Sequence, residues 1–264
     1  MAQLQRLAIA PAQISAQRIA LTAPQQHYLG RVLRLQAGDR FIALNGQQWW
    51  LSVLLDGSAA EMLELMPAQT ELPVSVTLLI ALPKNGMDDV VRQATELGVD
   101  QIVPVLSNRT VLKPSPQKCD RWQRIVQEAA EQSERQSIPT VIAPQSWAEA
   151  LQTWNAASSS CYICAERGDG AERGDRLHLL QALEIKRQTQ DLNAAQVGQP
   201  LPSLTIATGC EGGWTDQELE QAIAAGYQPV SLGSRILRAV TAPLVALSLV
   251  ASVFEAMPHP NKTV

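Results

Sequence analysis

Cysteine, histidine and long apolar runs are scarce in this 264-residue chain, and each scarcity removes a class of protein. Four cysteines in a chain of this length do not make the disulfide framework of a small secreted domain. Cys161 and Cys164 form a C-x-x-C, but a zinc site needs a second ligand pair, and His27, His178 and His259 are scattered without metal-ligand spacing. No metal is expected, and the cysteine pair reads as small hydrophobes packed in the apolar run 161–165. The nearest candidate for a membrane span, the uncharged run 239–254, is shorter than the ~20 residues a bilayer requires. The first residues lack a continuous apolar core of signal-peptide length, so a soluble, cytoplasmic protein with no membrane partner is expected. An overall basic excess is also missing: the formal net charge is −4, which argues against a wholly basic nucleic-acid binder. The local distribution differs from the average, since Arg109, Lys113, Lys118, Arg121 and Arg124 face the single acid Asp120 within residues 109–124.

What is present is globular. With 46% apolar and 17% charged residues, the chain is large enough for two compact units. Residues 1–70 read as short strands broken by turns: RLAIA, VLRLQAGDRFIAL, and WWLSVLL after an Asn45-Gly46 turn. A small β-barrel or sandwich is expected there. Around His27 a brief helical turn feeds a strand carrying Arg31 and Arg34, which are either solvated charges or part of an RNA-facing surface. The polar, proline-bearing segment 66–73 marks a boundary. From 74 to 257 strands and helices alternate, the mark of an α/β domain. Strands are expected at 74–82, 101–105, 140–143 and 161–165, and helices at 87–97, 117–136 and 146–154. Trp122, Ile125, Val126 and Ala129 share one face of the second helix. Glu131 and Arg135 are spaced for an i, i+4 pair on it. The tetrapeptide ERGD occurs at Glu166–Asp169 and again at Glu172–Asp175. It belongs to a polar insertion over about 166–202, with a helix near 177–187 inside it.

The stretch 204–254 carries the most chemistry. An apolar strand, 204–208, runs into the glycine-rich turn Gly209-Cys210-Glu211-Gly212-Gly213 and then a helix whose start is specified by Thr215 and Glu218, a capping box. A second strand, 229–232, meets a second corner, Gly233-Ser234-Arg235, before an apolar helix that opens near Pro243. Each corner alone is compatible with turn chemistry. Two in order, at the carboxyl ends of strands in an α/β domain, mark the place where ligands bind.

These residues resemble the RsmE family, the bacterial 16S rRNA uridine-N3 methyltransferases of the SPOUT class. The resemblance rests on HYLGRVLRLQAGD, ALPKNGMDDVVRQATELGVDQIVPVLSNRT, RWQRIVQEAAEQSER, GCEGGWTDQE and SLGSRILRAVTAPLVALSL, in that order. It implies an N-terminal PUA-like β-barrel, residues 1–70, that helps hold RNA. It implies a SPOUT α/β domain, residues 74–257, with a C-terminal trefoil knot, S-adenosyl-L-methionine lying bent against the knot, and a homodimer with the helix near 243–254 at its interface. By position, Thr208, Gly209, Gly212 and Gly213 would form one cofactor loop and Leu232, Gly233, Ile236 and Leu237 the other, with Ala165 and Glu166 at a neighbouring strand end. Glycine lets backbone groups approach the adenine edge. Arg238 is the expected catalytic residue, as a permanently charged donor to the base oxygens. Arg109 and Arg135 match further family arginines facing the RNA or the pocket, and Lys84, Arg31 and Arg34 complete the expected RNA contacts. Glu211 either accepts a proton or positions a group, or is held at a helix N-terminus for structural reasons.

Three positions depart from the family pattern. Cys210 replaces the proline of G-P-E-G-G, Gln93 replaces a lysine before A-T-E-L-G, and Ala239-Val240 replace the Thr-Glu of L-R-T-E-T-A. The expected function is S-adenosylmethionine-dependent methylation of a uridine N3 in 16S rRNA of the small ribosomal subunit. Two alternatives stand beside it: a SPOUT 2′-O-ribose methyltransferase, and a non-catalytic RNA-binding ribosome-assembly protein on the same scaffold.

Overall fold

The computed structural model describes residues 4–45, 48–66, 70–157, 159–165, 176–191 and 202–255. Gly46, Glu166, both ERGD copies and His259 lie outside the described residues. The chain divides into two compact units, Met1–Glu71 with Gln127–Pro139, and Leu72–Val126 with Thr140–Val264.

The first unit is a six-stranded sheet. Its strands are β1 (Arg6–Ala8), β2 (Ile14–Ser15), β3 (Arg18–Ala20), β4 (Arg40–Leu44), β5 (Trp49–Leu54) and β6 (Ala59–Met66), ordered β1-β4-β5-β6-β3-β2. Only β1 on β4 is parallel; the other pairs are antiparallel. Leu7, Ile9, Ile19, Phe41 and Met62 form its buried core with Leu29. β6 is the instructive element. Its sequence AAEMLELM consists of good helix formers, yet Ala60 and Met62 alternate into the core while Glu61 and Glu64 do not, so pairing with β5 overrides local propensity.

The expected strand beginning at Val32 is corrected. Helix α1 (Ala23–His27), started by the Thr22–Gln25 capping box, continues as a π-helical turn over Tyr28–Val32. Arg34 then adopts φ +58° and ends it, and the strand starts only at Arg40. Leu33 and Leu35 donate backbone N–H groups to the Tyr28 and Leu29 carbonyls, which spends them on the helical turn rather than on a ladder.

Residues 127–139 are tied into this unit by buried polar groups. The Ala8 N–H donates to Glu131 at 2.7 Å, Arg6 pairs with Glu134 at 2.7 Å, and the Arg6 guanidinium lies 5.1 Å above the Trp49 ring. The Trp49 indole N–H donates to the Arg135 carbonyl at 2.9 Å. Arg135 itself pairs with Glu71 at 2.6 Å, and the same carboxylate accepts from Gln136 N–H and from the backbone and hydroxyl of Ser137. This corrects the expectation for Arg135. Arg135 does not project from a helix toward RNA: α3 (Pro116–Gln132) ends before it, Glu134 turns the chain with φ +59°, and only 2% of Arg135 is exposed.

The second unit is a parallel sheet: β7 (Ser75–Ala81), β8 (Gln101–Leu106), β9 (Thr140–Val141), β10 (Gln145–Ser146), β11 (Ser160–Cys164), β12 (Ser203–Thr208) and β13 (Gln228–Val230). The order is β10-β8-β7-β12-β11-β13, with β9 also on β8. β7 and β12 are buried along nearly their whole length, as expected of strands covered on both faces. The connecting helices are α2 (Met87–Glu96), the first part of α3, α4 (Trp147–Thr153), α5 (Leu179–Asp191), α6 (Asp216–Ala224) and α7 (Ala242–Glu255). Trp122 of α3 is fully buried and its indole N–H donates to Asp88 of α2 at 2.9 Å. The apolar helix α7 packs within the unit, against α2, α5 and β12, burying Ala246, Leu247, Val250 and Phe254. No helix among the described residues is long and apolar enough to cross a membrane.

Burial pushes the Glu71 carboxyl up, but the Arg135 guanidinium and the Ser137 donors outweigh it, leaving the group below the usual glutamate value. A lowered folded-state pKa contributes stability that is complete above the unfolded value and lost as pH falls through the folded one. Arg135→Met, which leaves a half-buried carboxylate without its cation, is expected to cost about 3 kcal/mol in urea unfolding at neutral pH. Glu71→Gln should flatten the loss of stability on acidification relative to the unsubstituted protein.

Candidate active site

Parallel register sets three strand ends at one level: Cys164 of β11 pairs with Thr208 of β12 on one side and with Val230 of β13 on the other. A cavity of about 630 Å³, within the range of small-molecule sites, lies at these ends, lined by Cys164 and Ala165 at the end of β11 and by the loops that leave β12 and β13. Residues 209–216 form one wall and 236–240 another, while Asn85 and Gly86 arrive from the loop after β7 and Arg109 from the loop after β8.

The first glycine corner is built by contact as well as by torsion. Gly213 has φ +69° and donates its N–H to the Cys210 carbonyl at 2.8 Å. A Cβ on Gly212 would lie 2.9 Å from Cδ of Arg109, so glycine there lets the arginine stem lie against the loop. That arginine is spent on the loop: one terminal nitrogen donates to the carbonyls of Gly212 at 2.6 Å and Trp214 at 3.2 Å. Trp214 stacks on Trp147 with centroids 4.5 Å apart and donates its indole N–H to the Cys164 carbonyl at 3.2 Å. The loop therefore hangs between Arg109 and the end of β11.

The helix that follows starts as its sequence specifies. Thr215 caps α6 and Glu218 completes the box, accepting from the Thr215 N–H at 2.9 Å. Glu218 is buried and also accepts the Asn108 N–H at 2.7 Å, which ties the loop after β8 to the start of α6. Glu211 is not at that helix N-terminus, which corrects the structural role expected for it. It is exposed in the loop and accepts the Lys84 backbone N–H at 2.9 Å. Lys84 is exposed but does not line the cavity; Asn85 and Gly86 next to it do.

The second corner bends at Gly233, with φ +115°, and carries Ile236, which is 64% exposed at the cavity. Among the described residues no protein acceptor takes the backbone N–H of Ile236 or Leu237. Arg238 is exposed on the cavity wall, and no acceptor among the described residues holds its guanidinium. Its carbonyl accepts from the Thr241 and Ala242 N–H groups and leads into α7. Ala239 is buried, and the Val240 side chain lies against Gly86, so both positions have packing roles.

Of the expected cofactor residues, Gly209, Gly212, Gly213, Leu232, Ile236 and Leu237 line the cavity, as does Ala165. Thr208 and Gly233 do not. Thr208 is fully buried at the end of β12 with its hydroxyl unpartnered, and Gly233 shapes the bend behind the wall. Arg238, Glu211 and Arg109 line the same cavity. Arg31 and Arg34 belong to the first unit and are exposed there. Trp214 and Cys164 also line the cavity and were not among the expected site residues. Cys161 and Cys164 point to opposite faces of the extended β11, and both are free thiols. Burial pushes the Cys161 thiol up. Among the described residues no group of His, Cys, Asp or Glu forms a metal cluster.

Comparison with known proteins agrees with this geometry. Residues 70–251 match the model of an RNA methyltransferase domain, and residues 21–59 that of an RNA methyltransferase PUA domain. The ribosomal RNA small subunit methyltransferase E of Synechocystis is 45% identical over 95% of this chain and 78% of its own length. The chain belongs to the ribosomal RNA small subunit methyltransferase E family. The Bacillus subtilis member is 29% identical, covering 89% of this chain and 90% of its own length. The Neisseria gonorrhoeae member, solved bound to S-adenosyl methionine, superposes with a TM-score of 0.74 at 28% identity, covering 96% of this chain and 98% of its own. The family's mixed α/β fold with an N-terminal PUA domain is thus the fold of this chain.

Gly86, with φ +83° and a would-be Cβ 2.9 Å from Cγ1 of Val240, joins the loop after β7 to the second corner. Gly86→Ala is expected to cost about 1–3 kcal/mol through left-handed strain. The overlap with Val240 adds to that cost. Thermal unfolding measures the loss, and Gly30→Ala, where nothing lies within 4 Å, is the neutral control.

Proposed function

We propose that this protein transfers the methyl group of S-adenosylmethionine to N3 of a uridine in the 16S rRNA of the small ribosomal subunit. The observation that carries the reading is the cavity wall formed by the two glycine corners, where the backbone N–H groups of Ile236 and Leu237 are unspent and Arg238 stands free beside them. Peptide groups in such a wall suit the edge of an adenine, and the uncovered Ile236 side chain offers aliphatic surface to its ring. S-adenosylmethionine supplies an electrophilic methyl group on a sulfonium. The chain holds that group and the base in line, which is worth several kcal/mol when the reacting atoms are aligned. Arg238 stabilises the charge that spreads onto O2 and O4 as the N3 proton leaves. Among the described residues two carboxylates line the cavity, Glu211 and Asp216; Glu211 is assigned as the proton acceptor, and Arg109, committed to the Gly212 and Trp214 carbonyls, holds the loop that carries it.

The same reading assigns residues 1–70 to holding RNA through Arg31 and Arg34, and residues 74–257 to catalysis, with the corners at 209–213 and 232–237 as passes of a trefoil knot. It places α7 at the interface of a homodimer, where its half-buried Leu244 and Leu249 remain available, and the protein with ribosomes in the cytoplasm. A second reading, RNA binding without turnover, is favoured by one feature: positions 239 and 240 carry no carboxylate, and Val240 is occupied in packing on Gly86.

The test is incubation with labelled S-adenosylmethionine and unmodified small subunits, followed by digestion of the rRNA. Labelled 3-methyluridine is expected; a 2′-O-methyl product or an unlabelled digest overturns the reading. Arg238→Ala should lower the transfer rate by at least about 100-fold, the cost of a lost transition-state donor. Cofactor affinity by calorimetry and the melting temperature should stay unchanged, because the guanidinium holds no other group among the described residues.

A further inference from the structure

Apart from Arg109, the cations of residues 109–124 do not line the cavity. We propose that residues 107–115 and the first turns of α3 form the strip along which the RNA substrate docks as it leads into the active site. This rests on the proposed RNA methylation and adds the surface that does the holding. Three observations carry it. In a chain of net charge −4, this segment holds five cations against the single acid Asp120. Arg109, at one end, touches the Gly212 and Trp214 carbonyls of the cavity wall, so the strip begins at the mouth of the site. From there Lys113 is exposed, and Lys118, Arg121 and Arg124 follow at i, i+3, i+6 along one flank of α3, whose buried face is Trp122, Ile125 and Val126.

Among the described residues one of these cations has an acidic partner: Arg121 pairs with Asp88 at 2.8 Å. Among the described residues Lys113, Lys118 and Arg124 pair with no carboxylate, so they remain for phosphates. Within the strip Val111 is 79% exposed, the highest value among the large exposed hydrophobics of the described residues. An uncovered aliphatic side chain between cations suits the face of an unstacked base or a ribose.

The experiment measures the affinity of Lys113→Glu, Lys118→Glu and Arg124→Glu, singly and together, for deproteinised small-subunit rRNA over a range of potassium chloride. Each lost phosphate contact should lower the slope of log affinity against log salt by about 0.7–0.9, and the triple variant should bind at least about ten-fold more weakly at physiological salt. Cofactor affinity and melting temperature should match the unsubstituted protein. Lys→Gln and Arg→Gln variants guard against repulsion by the introduced acids and should show the same direction with smaller effect. Unchanged affinity and salt slope in the triple variant would overturn the proposal. Because RNA affinity is read without turnover, failure of methyl transfer by the unsubstituted protein is a separate result that bears on the proposed reaction alone.

Discussion

The site depends on one constraint, the parallel register that sets the ends of β12, β11 and β13 level with one another. Because Cys164, Thr208 and Val230 are register partners, loops far apart in sequence leave the sheet side by side. The Trp214 indole then donates to the Cys164 carbonyl, anchoring the first loop to the end of the neighbouring strand. A one-residue slip would exchange the two faces of a strand, and because both faces of β12 are buried every side chain would meet the wrong neighbours, so close packing holds the register together with the hydrogen bonds.

The polar groups around the cavity divide into those the protein uses on itself and those it leaves. Arg109 closes the glycine loop, Glu211 holds the Lys84 backbone, and Glu218 joins the loop after β8 to the start of α6. Ile236 N–H, Leu237 N–H and the Arg238 guanidinium remain. The second corner is held by the Thr241 and Ala242 N–H groups on the Arg238 carbonyl and by Val240 against Gly86, so its donors are presented in a fixed geometry and a ligand need not order them on binding. Ala239 and Val240 fit this division: one is buried and the other packs on Gly86, which makes the segment after Arg238 a support rather than a source of reactive groups.

Much of the α/β unit was legible because its signals are local. The Thr215–Glu218 box, Gly98 after α2 and the Trp122 face of α3 each depend on residues within a few positions of one another. The first unit was less legible. β6 is written in helix formers, and the turn through Tyr28–Val32 runs on where a strand was expected, because both are decided by core contacts of Met62 and Leu29 with strands distant in sequence. The candidate site divides similarly. The glycine corners could be read as corners, but Cys164 and Asn85 join the cavity only because the sheet brings the end of β11 and the loop after β7 beside them.

The sequence alone determined where the chain turns and caps, the apolar faces of its helices, its family resemblance and the cluster of cations between 109 and 124. Only the tertiary structure decided which charges are available. Arg135 and Arg109 look alike in sequence, yet Arg135 is buried on Glu71 while Arg109 is exposed at the cavity, braced on its loop. The physical reason is that a charge is committed by the partner that meets it in space. Glu71 stands 64 residues from Arg135 and Gly212 stands 103 from Arg109, separations over which no local pattern carries information.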